Sequence, residues 1–348
     1  MIALLAIKGD AGTDDAKISK WLAGAEKNLL VEMTQGWGDH GWFAEGDGPS
    51  GVAADTSLIP AFQAMRVAGG KDFFAPRPNV PWMTMKWVML TQLTPKYGKG
   101  RDLIPLHSGT YDHNVYARTG LSGAGYFAQG FGAILPEQKP ALLWLYNRMF
   151  KAADDAAGKP FDTVSAYPHR AVLAFVNWPF GMAEKNPGEI LAHAVEDKSA
   201  AHYMFRNRWQ DADDIIVDML LKGSRGHCDV KPGQIFVWGL GKKTTFPVRV
   251  TGAPTYFSAR ANGVVVSTGT GSFGVDFSRA SGADALLVLS GPITGAPKGA
   301  TVVTAGTNTF TIMTVQKGAP PEATANGDKV SVGGQTISIL GGNIAFEK

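Results

Sequence analysis

The hydrophobic pattern of this 348-residue chain changes its period once, near residue 200. Before that point, apolar residues recur at helical spacing, as in Ile18, Leu22, Leu29 and Met33. After it, short apolar runs are separated at close intervals by Gly, Pro, Asn and Asp, as between antiparallel strands. Helices that come first and strands that come second predict an α+β chain with two domains and exclude a doubly wound α/β fold.

Capping residues and helix breakers divide the first part into separate helices. Asp14 or Asp15 can cap a helix that ends at Gly36, and Thr56 or Ser57 can cap the next one. Further helices are predicted at about 81–93 and 136–149, and others begin at residues 168 and 186. In the second part we predict strands at 202–209, 214–221, 234–238, 263–268, 272–277, 285–290, 309–315, 335–340 and 343–346. This spacing is typical of an antiparallel β-sandwich.

The composition is that of a globular protein, with 45 % hydrophobic and 18 % charged residues. A formal net charge of +3 gives no reason to expect a nucleic-acid partner, although it permits a polyanionic substrate. Cys228 is the single cysteine, so an intramolecular disulfide is excluded. Residues 1–7 are apolar but few, and charged residues follow at once, so we expect neither a secretory signal nor a membrane span there.

A polar loop follows the first long predicted helix. It runs from Gly38 to Gly48 and carries His40, Trp42 and Glu45 among glycines and aspartates. A second polar loop is predicted at 107–118. Since loops on a rigid scaffold often hold catalytic side chains, we predict that the two loops together form an active site. The alternative is that the first loop is a solvated turn that only joins two helices.

Two stretches of the sequence resemble the heparinase II/III family of polysaccharide lyases. One is Asp39-His40-Gly41-Trp42-Phe43-Ala44-Glu45-Gly46, and the other is Phe205-Arg206-Asn207-Arg208-Trp209 with the following segment to Gly233. The resemblance implies a partial α/α toroid, residues 1–198, followed by an antiparallel β-sandwich, residues 199–348, with the active site between them. It also implies the C-terminal part of a longer lyase or a reduced version of one, because a full toroid has more helices than this sequence predicts.

The resemblance is incomplete at one turn of the second part. The family often has His-x-His-x-Asp-x-Gly there, with residues that help to hold a zinc ion. Here the run is His227-Cys228-Asp229-Val230-Lys231-Pro232-Gly233, so Asp229 replaces the second histidine and Lys231 replaces the aspartate. Because a cation at a ligand position repels Zn²⁺, zinc near His227 is disfavoured, and we expect no metal and no other cofactor.

The chemistry of the family assigns roles to the two loops. Such a lyase removes the C5 proton of a uronate, whose carboxylate must be neutralised, and expels the oxygen on C4. The resemblance implies that His40 acts as base or contacts the carboxylate, that Glu45 orients it, and that a tyrosine serves as base and acid. Tyr111 is favoured for that role, with Tyr97 and Tyr116 as alternatives. The predicted catalytic residues are therefore His40, Glu45, Tyr111 and His113, and the predicted substrate-binding residues are Trp42, Asn114, Tyr116 and Arg118.

The function implied is β-elimination on an acidic, uronate-containing glycan. An inactive or truncated relative that only binds carbohydrate is the alternative. A glycoside hydrolase is a third hypothesis, which would need two carboxylates from Asp39, Glu45 and Asp47. The expected partner is an acidic polysaccharide, with no nucleic acid and no membrane, and the sequence does not fix the oligomeric state. Because family members are typically exported, we expect a periplasmic or secreted protein.

Overall fold

The computed structural model describes residues 1–46, 58–74, 77, 79–93, 130–149, 151–152, 175–223, 230–293, 295 and 297–347. Within them, α-helices occupy the first part of the chain and strands the second, as predicted. The helices with described bounds are α1 (Ile2–Ile7), α2 (Asp15–Gln35), α3 (Ile59–Val67), α4 (Asn79–Leu90) and α5 (Lys139–Met149), and residues 130–133 and 175–177 are also helical. None of the described helices is both long and apolar enough to cross a membrane.

Helix α2 begins and ends where its capping residues predict. The Asp14 side chain accepts a hydrogen bond from the backbone N–H of Lys17 (3.0 Å), which satisfies one of the free donors of the first turn. At the other end, the N–H of Gly36 donates to the carbonyl of Glu32 (2.8 Å). The helix therefore delivers the chain directly into the polar loop that begins at Gly36.

The prediction of a helix that begins at Asn186 is wrong. Only a single 3-10 turn, Pro187–Glu189, forms there, and the chain then enters a strand at Ala194. The Asn186 side chain accepts from the N–H of Gly188 (2.9 Å) and donates to the carbonyl of Trp209 (2.7 Å). These bonds, together with the poor helix propensity of Pro and Gly, favour a turn anchored to the sheet over a continuing helix.

Three antiparallel sheets follow one another along the chain. Sheet 1 has the order β1-β2-β3-β4-β5, with β1 (Ala194–Asp197), β2 (His202–Arg206), β3 (Ile216–Leu220), β4 (Gln234–Gly239) and β5 (Lys242–Thr245). Sheet 2 has the order β10-β11-β9-β8-β7-β6, with β6 (Pro254–Arg260), β7 (Gly263–Thr268), β8 (Gly271–Asp276), β9 (Ala285–Ser290), β10 (Thr301–Ala305) and β11 (Asn308–Val315). Sheet 3 has the order β12-β13-β14-β15, with β12 (Ala323–Asn326), β13 (Lys329–Val332), β14 (Gln335–Leu340) and β15 (Asn343–Glu347).

The helices and the three sheets stack as successive layers, so sheets 1 and 2 are covered on both faces. Alternate residues of a strand point to opposite faces. In β2, Tyr203 and Phe205 belong to the core shared with sheet 2, whereas Met204 belongs to the core shared with the helices. In β9, Leu287 packs towards sheet 1 and Leu286 towards sheet 3. This double covering explains why β2, β3 and β9 are buried along their whole length.

Arg206 and Trp209 join sheet 1 to the end of α4. The buried guanidinium of Arg206 donates to the carbonyl of Met89 (3.0 Å) and forms an ion pair with Asp214 (2.8 Å). The indole N–H of Trp209 donates to the carbonyl of Val88 (2.8 Å). The last carbonyls of a helix have no partner within it and carry partial negative charge, so these donors stabilise the end of α4. The motif that carries the family resemblance therefore fastens the helices to the sheet.

The predicted border between residues 198 and 199 lies inside sheet 1. Strand β1 precedes that border and pairs with β2, so that Ala194 lies opposite Phe205 and Asp197 opposite His202. The division into a helical domain, 1–198, and a β-sandwich domain, 199–348, stays a prediction. Residues on the two sides of the border pack together, since sheet 1 shares a hydrophobic core with α4 and α5.

Candidate functional site

The predicted polar loop folds as a tight hairpin between α2 and α3. We call residues Gly36–Gly46 the His40 loop. The N–H of Gly38 donates to the carbonyl of Trp42, and the N–H of Ala44 donates to that of Gly36, both at 2.8 Å. An isolated antiparallel bridge between Trp37 and Phe43 closes the base, where the two rings lie 4.8 Å apart. The tip of this hairpin presents Asp39 and His40.

The carboxylate of Asp197 holds the tip of the His40 loop. Its Oδ1 accepts from the N–H of Asp39 (2.9 Å), and its Oδ2 accepts from the N–H of His40 (2.8 Å) and of Trp42 (3.3 Å). Asp197 is 0 % exposed and ends strand β1. A charged acceptor makes a backbone hydrogen bond stronger than a neutral one does. Sheet 1 thus fixes the position of a loop that belongs to the helical part.

Two glycines allow the close approach of this hairpin. A Cβ atom on Gly38 would lie 2.2 Å from the Asp197 carboxylate. A Cβ atom on Gly41 would lie 2.2 Å from the carbonyl oxygen of Trp82, and Gly41 also has a φ of +83°. Residues with side chains rarely adopt that backbone conformation. The two glycines therefore serve the packing of the loop between Asp197 and α4, in addition to making the turn.

The imidazole of His40 lies at the tip of the loop and is half-buried. Its ring meets the Trp82 ring edge-on, with 4.6 Å between the ring centres. Burial lowers the pKa of His40 below its ordinary value of 6.5, and the negative charges of Asp197 and Asp39 oppose that shift without reversing it. Nδ1 forms no hydrogen bond with any of the described residues. Because its pKa lies below 6.5, the ring is neutral near pH 7, and its Nδ1 is buried.

Trp42 packs into the protein beneath the His40 loop. Its indole is 5 % exposed and lies 4.8 Å from the ring of His202. His202 is fully buried, and its Nε2 lies 2.6 Å from Oδ1 of the equally buried Asp218. The ammonium of Lys86, also buried, lies 5.8 Å from the Trp42 ring. Trp42 is therefore mostly packed inside the protein, and its predicted part in substrate binding stays a prediction.

A shallow depression of about 240 Å³ lies beside the His40 loop. Trp37, Trp42 and Lys222 are among its lining residues. The Lys222 ammonium donates to the carbonyl of Ser199 (2.6 Å), which holds this exposed cation next to the loop. An ammonium with three donors can bind a carboxylate while it keeps one backbone contact.

Comparison with solved structures identifies the overall architecture. A heparan sulfate lyase HepC mutant from Pedobacter heparinus matches with a TM-score of 0.51 and 10 % identity, over 99 % of this chain and 67 % of that one. The chain has a heparinase-like fold. Two structures of a heparinase III, one with methylated lysines, match with TM-scores of 0.43 and 0.46 and identities of 10 % and 12 %. They cover 95 % and 99 % of this chain and 62 % and 66 % of theirs.

This heparinase-like chain spans about two thirds of the length of the structures it matches. No protein-family model matches its sequence, and no curated protein sequence matches it at a significant level. At about one identical residue in ten, the likeness concerns the fold. Activity and substrate therefore have to be argued from the residues of the chain itself.

The structure brings only some of the predicted site residues into view. His40 and Trp42 lie together on the loop, whereas Glu45 is exposed on its outgoing arm. Within the described parts of the chain, no hydrogen bond or ion pair joins Glu45 to His40, and Asp197 makes the contacts that fix the His40 backbone. The remaining predicted residues, and the alternative Tyr97, lie outside the described residues: Tyr111, His113, Asn114, Tyr116 and Arg118.

The turn at which a zinc ion was disfavoured is described only from Val230 onwards. His227, Cys228 and Asp229 fall outside the described residues, so their part in metal binding stays a prediction. Among the residues that the structure does describe, no group of three or more His, Cys, Asp or Glu side chains is arranged to hold a metal ion. Lys231 is exposed at the edge of the turn.

Sequence reasoning missed Asp197, the residue that organises the loop. It lies 157 residues from His40 in a four-residue strand, Ala194–Asp197, that was not predicted. An isolated acidic residue gives no pattern from which such a contact can be inferred. The glycines of the loop were the one available signal, because tightly packed glycines indicate the close approach of another part of the chain.

Proposed function

We propose that this heparinase-like chain is a polysaccharide lyase, or the C-terminal part of one, that cleaves an acidic glycan by β-elimination. The observation that carries the proposal is the environment of His40. Its imidazole has a lowered pKa and lies at the tip of a loop whose backbone is fixed by a buried carboxylate. A neutral, positioned imidazole is the group that a general base requires near neutral pH.

The proposed reaction breaks one C–H bond and one C–O bond. His40, or a tyrosine near it, takes the C5 proton of a uronate, and the electron pair of that bond forms the C4=C5 double bond. The oxygen on C4 leaves and is protonated by an acid, for which Tyr111 is the first candidate. Lys222, beside the loop, and the predicted Asn114 and Arg118 are the groups that would neutralise the uronate carboxylate.

The wider parts of the proposal follow from the same reaction. The helices would belong to an α/α toroid, and the substrate would bind between this toroid and sheet 1, where the His40 loop lies. A polymeric acidic glycan is met outside the cytoplasm, so we place the protein in the periplasm or among secreted proteins. Neither nucleic acid nor membrane enters the proposed reaction.

A glycan-binding relative without activity is the second candidate. One observation favours it: the charges that act on His40 come from Asp197, Asp39 and Glu196, which are all acidic. Carboxylates so close to the base repel an incoming uronate unless cations from elsewhere in the site outweigh them. The two candidates predict the same binding but opposite results in an assay for the unsaturated product.

The deciding experiment follows ultraviolet absorbance during incubation with a panel of acidic polysaccharides. Elimination creates a C4=C5 double bond conjugated with the carboxylate, which absorbs, whereas hydrolysis and simple binding create none. We expect a rise with at least one glycan and a decrease in rate of about 10²- to 10⁴-fold in His40→Gln, the usual contribution of a general base. Lys27→Gln, on the exposed side of α2, is the matched control and should keep the full rate.

The same assay tests the assignment of the tyrosine. Tyr111→Phe should abolish turnover, because it removes the hydroxyl that moves the proton. Full turnover in that variant would transfer the role to Tyr97 or Tyr116. A flat trace with every glycan, from protein shown to be folded by circular dichroism, would replace the lyase with the binding-only candidate.

A further inference from the structure

Sheet 2 is wider than the sheet that covers its outer face. It has six strands, with β6 at one edge, and sheet 3 has four, with β15 at one edge. Strand β15 packs on β7, β8 and β9. The residues of β6 are half-buried or exposed along its whole length. A cleft of about 270 Å³ therefore lies between β15, as its wall, and the flank of sheet 2, as its floor.

Three side chains of β6 line this cleft from one face of the strand. Ser258 lies opposite Val265, which packs towards sheet 3, and Tyr256 and Arg260 share that face because residues two apart point the same way. All three line the cleft. A register shift between Pro254 and Tyr256 marks a β-bulge directly before the tyrosine. Bulges turn side chains in new directions and are common beside functional sites.

The wall of the cleft is apolar and closely packed. Phe346 on β15 lies against the backbone of Gly274, where a Cβ atom would be 2.9 Å from the ring. Ile344 is buried beside it. Tyr256 is 42 % exposed and offers an aromatic surface opposite this wall. A pocket with apolar walls and a few polar groups is the usual form of a small-molecule site.

The charges of the cleft are unequally satisfied. The carboxylate of Asp276 is largely buried and accepts from both the N–H (3.2 Å) and the hydroxyl (2.6 Å) of Ser278. Arg260 is exposed, and its guanidinium forms no ion pair or hydrogen bond with any residue of the described ranges. A guanidinium has a rigid fork of donors that matches a carboxylate or a sulfate. The cleft thus offers the Arg260 guanidinium to a ligand, while the Asp276 carboxylate is already hydrogen-bonded to Ser278.

We infer that this cleft is a second binding site for acidic sugar units, separate from the His40 loop. Arg260 binds a carboxylate or sulfate group, Ser258 and Asn262 bind hydroxyls, and Tyr256 packs on the apolar face of the ring. The choice of an acidic saccharide rests on the proposed function, whereas the existence of the site rests on the cleft alone.

The position of the cleft defines what it can do. It lies between sheets 2 and 3, whereas the His40 loop contacts sheet 1, so at least one sheet-to-sheet spacing of about 10 Å separates them. A site at that distance takes no part in the bond that is cleaved. It holds a remote segment of a long chain and raises the local concentration of the remaining segments at the loop.

The test is a calorimetric titration of the 348-residue chain with oligosaccharides of defined length that contain uronate, prepared with and without sulfate groups. The chain carries His40→Gln, so that turnover does not deplete the ligand, and the titration is repeated with His40 intact. We expect Arg260→Gln to weaken one class of binding sites by about tenfold, the usual effect of losing a charge-assisted contact. Tyr256→Ala should weaken the same class, and Tyr256→Phe should not, because it keeps the aromatic face.

Arg249→Gln is the matched control, since Arg249 is exposed and is not among the residues that line the cleft. Unchanged affinity in Arg260→Gln, or a loss of the same size in Arg249→Gln, would overturn the proposal. So would failure of the chain to bind any acidic oligosaccharide. If Arg260→Gln loses affinity for the sulfated oligosaccharides alone, or for the unsulfated ones alone, the result would support the site and identify the anion that it prefers.

Failure of the lyase proposal gives a different result from failure of this one. A chain that never produces the unsaturated product but loses affinity in Arg260→Gln has the second site without the activity. A chain that produces the product, with the same KM for long and short substrates in Arg260→Gln as in the unmodified protein, has the activity without the second site. If the chain has both the activity and the second site, Arg260→Gln raises KM for the polymer. It leaves kcat, and KM for the short substrate, unchanged.

Discussion

Replacing Asp197 with asparagine tests whether this carboxylate fixes the His40 loop. Oδ1 accepts from Asp39, and Oδ2 accepts from the N–H groups of His40 and Trp42. An amide keeps one acceptor and turns its NH₂ group towards the other two donors, so two charge-assisted bonds are lost. At about 1.5 kcal/mol each, the free energy of unfolding should fall by about 3 kcal/mol. This is a large part of the 5–15 kcal/mol that stabilises a typical domain.

The assay is equilibrium urea unfolding followed by tryptophan fluorescence, with the pKa of His40 measured by NMR titration. Since the charge of Asp197 raises that pKa against the effect of burial, the asparagine variant should titrate at a still lower pH. Asp276→Asn is the control, because this buried acid also ends a strand, and among the described residues its carboxylate accepts hydrogen bonds from Ser278 alone. A loss below about 0.5 kcal/mol, together with an unmoved His40 pKa, would refute the reasoning.

Two further predictions concern the same loop. Gly41→Ala should destabilise the protein by about 2 kcal/mol or more, because the new Cβ meets the carbonyl of Trp82 and φ is +83°. Gly24→Ala, in the middle of α2 with open space around it, should stabilise the protein by about 0.5–1 kcal/mol in the same urea assay, and equal effects would contradict the packing argument. The lowered pKa of His40 means that the unfolded state binds its proton more readily, so stability should fall as pH decreases through about 6.5. That part of the pH dependence should be absent in His40→Gln. A stability profile against pH identical to that of the unmodified protein would exclude His40 as its cause.

The sequence predicted the buried strands well and the exposed ones poorly. The limits of β7, β9 and β14 coincide with the predicted 263–268, 285–290 and 335–340. The strands that were missed are β1, β5, β6, β10, β12 and β13, and all but β13 lie at the edge of a sheet. An edge strand is solvated, so it has no need of the apolar run that marks a strand in the sequence. Strand β12, with the sequence ATAN, is an example.

The sequence indicated which residues the candidate loop contains, but not which distant residues contact it. Glycines, aspartates and His40 led us to predict a functional loop, and the structure gives the imidazole a lowered pKa. Its acceptor, Asp197, was not predictable, because residues so far apart meet only through the complete fold. The packing of Trp42 was not predictable either, because the hairpin folds back on sheet 1, so that the indole contacts His202.

The hold of Asp197 on the His40 loop also has a consequence for the order of events during synthesis. The ribosome releases the helices and the loop first, and β1 emerges more than 150 residues later. Until then, the N–H groups at the tip of the loop lack their charged acceptor. Domains usually fold as units in the order in which they appear. Here the His40 loop gains its acceptor only after β1 has been synthesised, so the site around His40 is completed only when sheet 1 has formed.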